Sequence, residues 1–339
     1  MFKQKRNIIF IIIVIGLIGA VWFYQFLNKD GKAIPNQGLA RVMDVSPNDK
    51  QIAFSYYKDG VAAIYTSNLD GSNVKKFVEM KNVSLLHPKF STDGKKLLFL
   101  ASPKGKENKE QNLYVVDRDG KNKKQLTSTG DLVTDAVFSP DNQTIFYLQA
   151  GVFKNYSPIA GKRPHEYDLY SINSNGAEKK QITNKKEYGM FDISVSTDGK
   201  SLWFTKNTDD EESQALFNTS LDGKDTLNKY LPKDKIGTPD MYDVALSKDN
   251  QQIVFSAVST SSKDTTYEYE LFSMDLATKQ TEQLTNLKSY ALSPVYLHKE
   301  NKIFFLEDKS ERKDNSKLEM YTMDIGNKQI TKIDLRVGN

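Results

Sequence analysis

The 339-residue chain carries many scattered lysines and acids, so residues able to do chemistry must be sought by position. One set recurs at a fixed place. Val42, His87, Asp135, Asp192, Asp243 and Ser293 each stand twelve residues before an aromatic side chain, at Phe54, Phe99, Tyr147, Phe204, Phe255 and Phe305. Four of these six are ionisable and three are aspartates. Like carboxylates held close raise one another's pKa unless a positive charge neutralises them. If the chain converges them, His87, Asp135, Asp192, Asp243 and Ser293 would form a site for a cation or for a basic group of a partner. The same residues allow a second role, because an aspartate opening a strand can accept backbone N–H bonds from a neighbouring element and fasten the two without any ligand.

Beyond that set the chemistry is sparse. The other histidines are His165, in a long loop from Ala150 to Glu166 with Tyr156, Lys162 and Arg163, and His298, in what reads as a solvated turn. Tyr156, Arg163 and His165 are candidates for recognising a partner, since binding residues concentrate on loops held by a rigid scaffold. Asp209, Asp210, Glu211 and Glu212 lack ligand spacing and read as a solvated run. No H-E-x-x-H, P-loop, EF-hand loop or dinucleotide fingerprint occurs, nor a G-x-S-x-G elbow with acid and histidine following in order.

The elements that would position these residues come from a repeat. Six segments align: VSPNDKQIAFS from Val45, FSTDGKKLLFL from Phe90, FSPDNQTIFYL from Phe138, VSTDGKSLWFT from Val195, LSKDNQQIVFS from Leu246 and YLHKENKIFFL from Tyr296. Each reads as strand, tight turn, strand, and all but the sixth supply turn residues that tolerate positive φ. A second half follows, with an aromatic at Tyr65, Tyr114, Tyr170, Phe217, Phe272 and Tyr321, and most units close on a segment such as KKQLT or KKQIT. The second strands are apolar at consecutive positions, so both of their faces must be covered. Four antiparallel strands per unit, repeated every 45 to 57 residues, are the pattern of propeller blades.

The F-S-P-D-G-x-x-I-x-F, then I-Y-x-x-D-x-D-G, then K-Q-L-T pattern resembles the TolB-like propeller repeat. Its clearest copy runs from Phe138 to Thr183, and the resemblance extends from about Arg41 to the C-terminus. It implies an all-β, six-bladed β-propeller over residues 40–339. It is weaker for function, because these repeats occur in a bacterial periplasmic cell-envelope protein, in the propellers of oligopeptidases and in some polysaccharide lyases. In such a propeller the recurrent set would face the central channel near one mouth, on the same side as the long connections between second and third strands.

Residues 7–27 carry no charge over the roughly 20 residues a helix needs to cross a bilayer. Lys3, Lys5 and Arg6 precede them, which places a cytoplasmic tail at residues 1–6, a signal-anchor helix at 7–27, a linker at 28–39 and the propeller outside the cytoplasm. Cysteine is absent, so neither disulfides nor a lipidated cysteine contribute. Lys plus Arg number 47 against 43 Asp plus Glu, and removing the tail's three basic residues leaves near neutrality, unlike a nucleic-acid binder. The sequence therefore reads as a cell-membrane-anchored binding or scaffold module for a protein, peptide or cell-envelope glycan. No cofactor is expected unless a cation binds at the channel mouth. The alternative is a propeller lyase or hydrolase with a metal site there; such lyases gather several histidines, and this set offers only His87.

Overall fold

The computed structural model describes residues 36–338, apart from 107–108, 156–160, 209–212, 234–239, 261, 263–266 and 311–316. The expected tail, the anchor at 7–27 and most of the linker lie outside these residues. Among the described residues no helix is long and apolar enough to cross a membrane. The chain there forms 24 β-strands, four for each sequence repeat, as an all-β propeller. The first strand begins at Gly38, ahead of the expected boundary, because Gly38 and Leu39 pair with Tyr57 and Tyr56.

Each repeat places its strands in sequence order from an inner first strand to an outer fourth. Four of the six expected blades are separate four-stranded sheets, spanning residues 38–78, 83–125, 132–181 and 190–230. The expectation of six separate sheets is corrected at the last two repeats, which share one eight-stranded sheet. The cause is local. Tyr269 and Tyr290 open strands side by side, form a single parallel bridge and stack at 5.3 Å, while the Tyr269 amide donates to the Ser289 carbonyl at 2.8 Å.

The aromatic pairs set the register. Phe54, Phe99, Tyr147, Phe204, Phe255 and Phe305 lie directly opposite Tyr65, Tyr114, Tyr170, Phe217, Phe272 and Tyr321. All six pairs stack, at 5.4–6.4 Å, each contributing about 0.5–1.5 kcal/mol beyond its buried area. The apolar clusters lie between successive repeats. Leu85, Phe90 and Leu97 meet Ile64 of the first repeat, and Phe304, Leu306 and Met320 of the last meet Met43, Val45 and Phe54 of the first. That last cluster closes the ring.

The hairpins between first and second strands share one device. Ser46, Ser91, Ser139, Ser196 and Ser247 each donate to the Asn or Asp two residues on, at 2.6–2.8 Å, and accept the amide five residues on at 2.9–3.0 Å. Leu297 replaces this serine in the sixth repeat. His298 is accordingly corrected from a solvated turn residue to a closing contact: the His298 and Lys299 amides donate to the two Asp49 carboxylate oxygens at 2.9 and 2.7 Å, and the His298 ring lies 3.2 Å from the Val45 carbonyl. Asn142 and Asn250 hold the position of Asp49 in the third and fifth repeats, where they accept the Thr92 and Thr197 amides.

Asp49 has a φ of 54°, a conformation asparagine and glycine also take readily. Asp49→Gly should therefore isolate the lost bonds and cost about 1–3 kcal/mol in urea unfolding. Asp49→Asn, which copies the third and fifth repeats, should cost less than half of that. Equal stability of the parent and Asp49→Gly would show that closure rests on the apolar cluster alone.

Candidate functional site

The recurrent residues do sit on inner strands, but within them rather than at their openings. His87 is the fifth residue of Val83–Phe90, Asp135 the fourth of Leu132–Phe138, Asp192 the third of Met190–Val195, Asp243 the second of Tyr242–Leu246 and Ser293 the fourth of Tyr290–Tyr296. The inner strands continue toward the loop face because they go on pairing beyond these residues, as Val83 does with Pro103.

His87, Asp192, Asp243 and Ser293 have φ of 51–56°, and each falls at a break in register with the second strand. These are β-bulges with one residue in the left-handed region, which aspartate and histidine tolerate better than most side chains. The residue types thus have a backbone reason. Asp135 is not in this conformation, although its strand also shifts register beside it.

The carboxylates reach across to the next repeat. Asp135 accepts the Ile193 amide at 3.0 Å, Asp192 accepts the Val244 amide, and Asp243 accepts the Ser293 amide at 3.1 Å. Asp44, which the repeat ruler missed by two residues, accepts the Phe90 amide at 2.7 Å, with the Lys89 ammonium 3.9 Å away. The Asp44 and Asp243 bonds go to different levels of the following strand, which is why one fixed offset from the aromatic found one and not the other. Val42, at the ruler's own position in the first repeat, carries no polar group.

These residues also form an electrostatic cluster. The His87 ring nitrogen Nδ1 lies 3.9 Å from Asp135. Asp192 receives the Thr205 hydroxyl at 2.9 Å, and Gln214 donates to that hydroxyl at 2.9 Å. Burial raises the Asp192 carboxyl well above the usual carboxylate range, and the neighbouring Asp243 and Asp135 charges push the same way, against the Val244 amide and the Thr205 hydroxyl. Burial also raises Asp44, with Lys89 and the Phe90 amide opposing. Among the described residues no group of three or more His, Asp or Glu is arranged to hold a metal ion; the oxygens of the ring accept backbone amides instead.

On the loop face the expected residues separate. Tyr156 lies outside the described residues, as does the acidic run 209–212. Much of the expected loop is instead a hairpin whose strands, Thr144–Lys154 and Arg163–Asn173, have eleven residues each. Arg163 stays exposed at its start. His165 is corrected from a loop residue to a buried strand residue: it pairs with Val152, its Nδ1 lies 3.0 Å from the Tyr188 carbonyl, and its ring packs 4.6 Å from that of Tyr188. The alternation of the extended strand turns His165 inward.

Sequence reasoning passed over an aromatic crest on this face. Tyr188, Phe191 and Tyr267 are 42–49% exposed, and on the same face Tyr269 meets Tyr242 edge-to-face at 5.9 Å and stacks on Tyr290 at 5.3 Å. The available signal was a tyrosine opening each of three strands in the last two repeats. Two buried acids were also missed. Asp168 and Glu270 accept the Thr183 and Thr285 hydroxyls and the Lys185 and Lys288 amides at 2.5–2.9 Å. Those threonines, from the K-Q-I-T and E-Q-L-T segments, accept the Leu169 and Leu271 amides in turn, so these acids tie strand ends.

A family model described as TolB beta propeller domain matches residues 41–259. No curated protein matches the chain in sequence. Among solved structures, TolB from Acinetobacter baumannii is similar at a TM-score of 0.62 and 16% identity, over 84% of this chain and 63% of that one. The chain thus spans less than two thirds of that relative. An oligogalacturonate lyase in complex with manganese is similar at 0.59 and 12% identity, over 90% and 81% of the two chains. A chain of a nidogen/laminin complex is similar at 0.57 and 10% identity, over 88% and 91%. At these identities the likeness is one of fold.

Because the folded Asp192 carboxyl has a pKa above its unfolded value, folding loses stability as pH rises from the unfolded value toward the raised one, and nothing is lost below both. Asp192→Asn keeps an oxygen for the Val244 amide and the Thr205 hydroxyl while removing the charge. It should raise the melting temperature by a few degrees at pH 7.5 and leave it unchanged near pH 3.5. An equal gain at both pH values would show that charge is not the cause.

Proposed function

The chain belongs to the TolB β-propeller domain family, and on that premise we propose that it is a binding scaffold, a six-bladed propeller held at the cell membrane outside the cytoplasm. The six-bladed count takes the eight-stranded sheet as two blades, in keeping with its two antiparallel halves and single bridge. The observation that carries the binding reading is the contrast between the channel and the loop face. Channel carboxylates are engaged in holding the inner strands, whereas Tyr188, Phe191 and Tyr267 expose large apolar rings on the face that also bears the long hairpin. Exposed aromatic surface on a rigid frame is the composition of recognition sites for proteins, peptides and glycans.

The channel set supports a second part of the same reading. Burial raises Asp192 most, and the part added by the Asp243 and Asp135 charges would be relieved by a cation or a basic partner group entering beside His87, Asp135, Asp192, Asp243 and Ser293. A metal-dependent lyase or hydrolase has less support, since His87 is the only histidine of the set and the carboxylates already accept backbone amides.

Anchoring rests on the uncharged span 7–27 behind Lys3, Lys5 and Arg6. Protease added to intact spheroplasts should digest residues 30–339 and leave a membrane-embedded N-terminal fragment. A soluble released form starting near Val21 would overturn anchoring.

For the binding face, full-length protein solubilised in detergent should retain partners through cross-linking and affinity capture. The triple variant Tyr188→Ser, Phe191→Ser, Tyr267→Ser should lose them at least tenfold with a melting temperature within a few degrees of the parent. Replacing Asp135, Asp192 and Asp243 together by Asn should abolish calorimetric binding of Ca²⁺ or Mn²⁺ if the channel takes a cation. Capture unaffected by the aromatic triple would remove the loop face from the reading.

A further inference from the structure

On the hairpin face, opposite the aromatic crest, a cavity of about 400 Å³ opens where the ring closes, lined by Ser46, Pro47, Asn48, Asp93, Gly94, Arg118 and Lys299. The residues come from the first, second and last repeats. From its charges we infer that this cavity is a binding site for a carboxylate-bearing ligand.

Arg118 carries the argument. Its guanidinium lies over the Phe90 ring, the Cζ 4.4 Å from the centroid, and its Nη2 donates to the Gln51 side-chain oxygen. Nη1 is buried and has no hydrogen-bond partner among the described residues. No carboxylate of the described residues pairs with this guanidinium, and burial pulls its pKa down. A guanidinium cannot shed its proton at physiological pH, so an uncompensated charge in a partly buried place favours an anion brought from outside. Lys299 adds a second positive charge at the rim; its ammonium makes no ion pair among the described residues, while its backbone amide is held by Asp49.

The one acid of the lining does not supply the missing anion. Asp93 accepts the Ser91 hydroxyl at 2.8 Å and the Lys95 amide at 3.0 Å, with the Lys95 ammonium 3.4 Å away. Those bonds hold it ionised, with a pKa below the usual range. Its charge also sets the ligand class. One guanidinium and one ammonium match a monoanionic planar carboxylate, whereas a phosphate dianion would bring more charge toward Asp93 and need more donors than these groups offer. The volume suits a ligand of small-molecule size or the end of a peptide.

The test is calorimetric titration of the full chain in detergent micelles at fixed ionic strength with four probes. These are acetyl-trialanine with a free C-terminal carboxylate, the same peptide amidated, propionate and inorganic phosphate. Saturable binding of the free-acid peptide or of propionate is expected, with the amide at least tenfold weaker and phosphate weaker than the carboxylates. A free-acid peptide binding more tightly than propionate assigns the carboxylate to a chain terminus, and equal binding assigns it to a small acid. Arg118→Gln should weaken binding at least tenfold. Lys299→Glu, at an exposed position, repeats the test without touching the packed guanidinium and should weaken it severalfold. Absence of saturable carboxylate binding, equal binding of the amide, tighter binding of phosphate, or unchanged affinity in Arg118→Gln or Lys299→Glu would overturn the inference.

Discussion

A sheet whose second strands are apolar on both faces cannot stand alone in water, and every other feature of this protein follows from how that surface is covered. Leu97 to Leu100 and Ile303 to Leu306 are consecutive buried residues, so each sheet needs a neighbour on either side. A row of such sheets would leave two ends wet. Closing the row into a ring removes both ends, at the cost that first and last repeats must meet with the same fit as any adjacent pair. Leu292, Leu297, Phe304 and Met320 against Met43, Val45 and Phe54 supply the apolar part of that fit, and Asp49 supplies the polar part.

Closure brings a second constraint, because inner strands from all sides converge on one channel. Their backbones there bulge and expose amides that no strand partner takes, and buried amides must be satisfied. Asp135, Asp192 and Asp243 accept amides of the following repeat, which replaces missing ladder bonds with bonds between repeats. Three carboxylates drawn toward one axis are also drawn out of water, and burial first, with the Asp243 and Asp135 charges adding to it, raises the Asp192 carboxyl. One arrangement thus yields both the fastening and a set of closely spaced carboxylates. A channel ligand and a structural role for the same residues are therefore compatible, and they are separable because asparagine preserves acceptance of the amide and removes the charge.

What could be read in the sequence divides along the same physical line. The aromatic pairs, such as Phe99 with Tyr114 and Phe305 with Tyr321, were legible because period-two strand geometry fixes partners a set distance from a turn. The channel set was legible from one ruler, except where the useful residue moved by two, as with Asp44. Position within the strand was not legible, since left-handed bulges at His87, Asp192, Asp243 and Ser293 leave no mark beyond residue types that also suggest ligands. The inward turn of His165 was hidden for a related reason: an insertion with no apolar run reads as a loop, but it pairs as an extended hairpin when both of its arms can continue the ladder. The merging of the last two sheets depended on a single pair, Tyr269 and Tyr290, whose meeting is set by three-dimensional stagger rather than by any local pattern.

The sixth repeat shows how a local departure from the rule creates new surface. In the other hairpins a serine ties the turn to itself, and the turns of the second and fourth repeats lean on Asn142 and Asn250 of the next one. Leu297 in place of serine sends that position into the closing apolar cluster, while the following amides bond Asp49 much as the Thr92 and Thr197 amides bond Asn142 and Asn250. Lys299 is thereby carried to the edge of the space between the first two hairpins, where Arg118 lies against Phe90. Phe90 in turn gives its amide to Asp44 in the channel. The irregular turn, the closing contact and the charged cavity thus meet at one junction of the ring. The place where a ring is sealed is also the place where its symmetry is broken, so it offers a cavity that none of the regular junctions need reproduce.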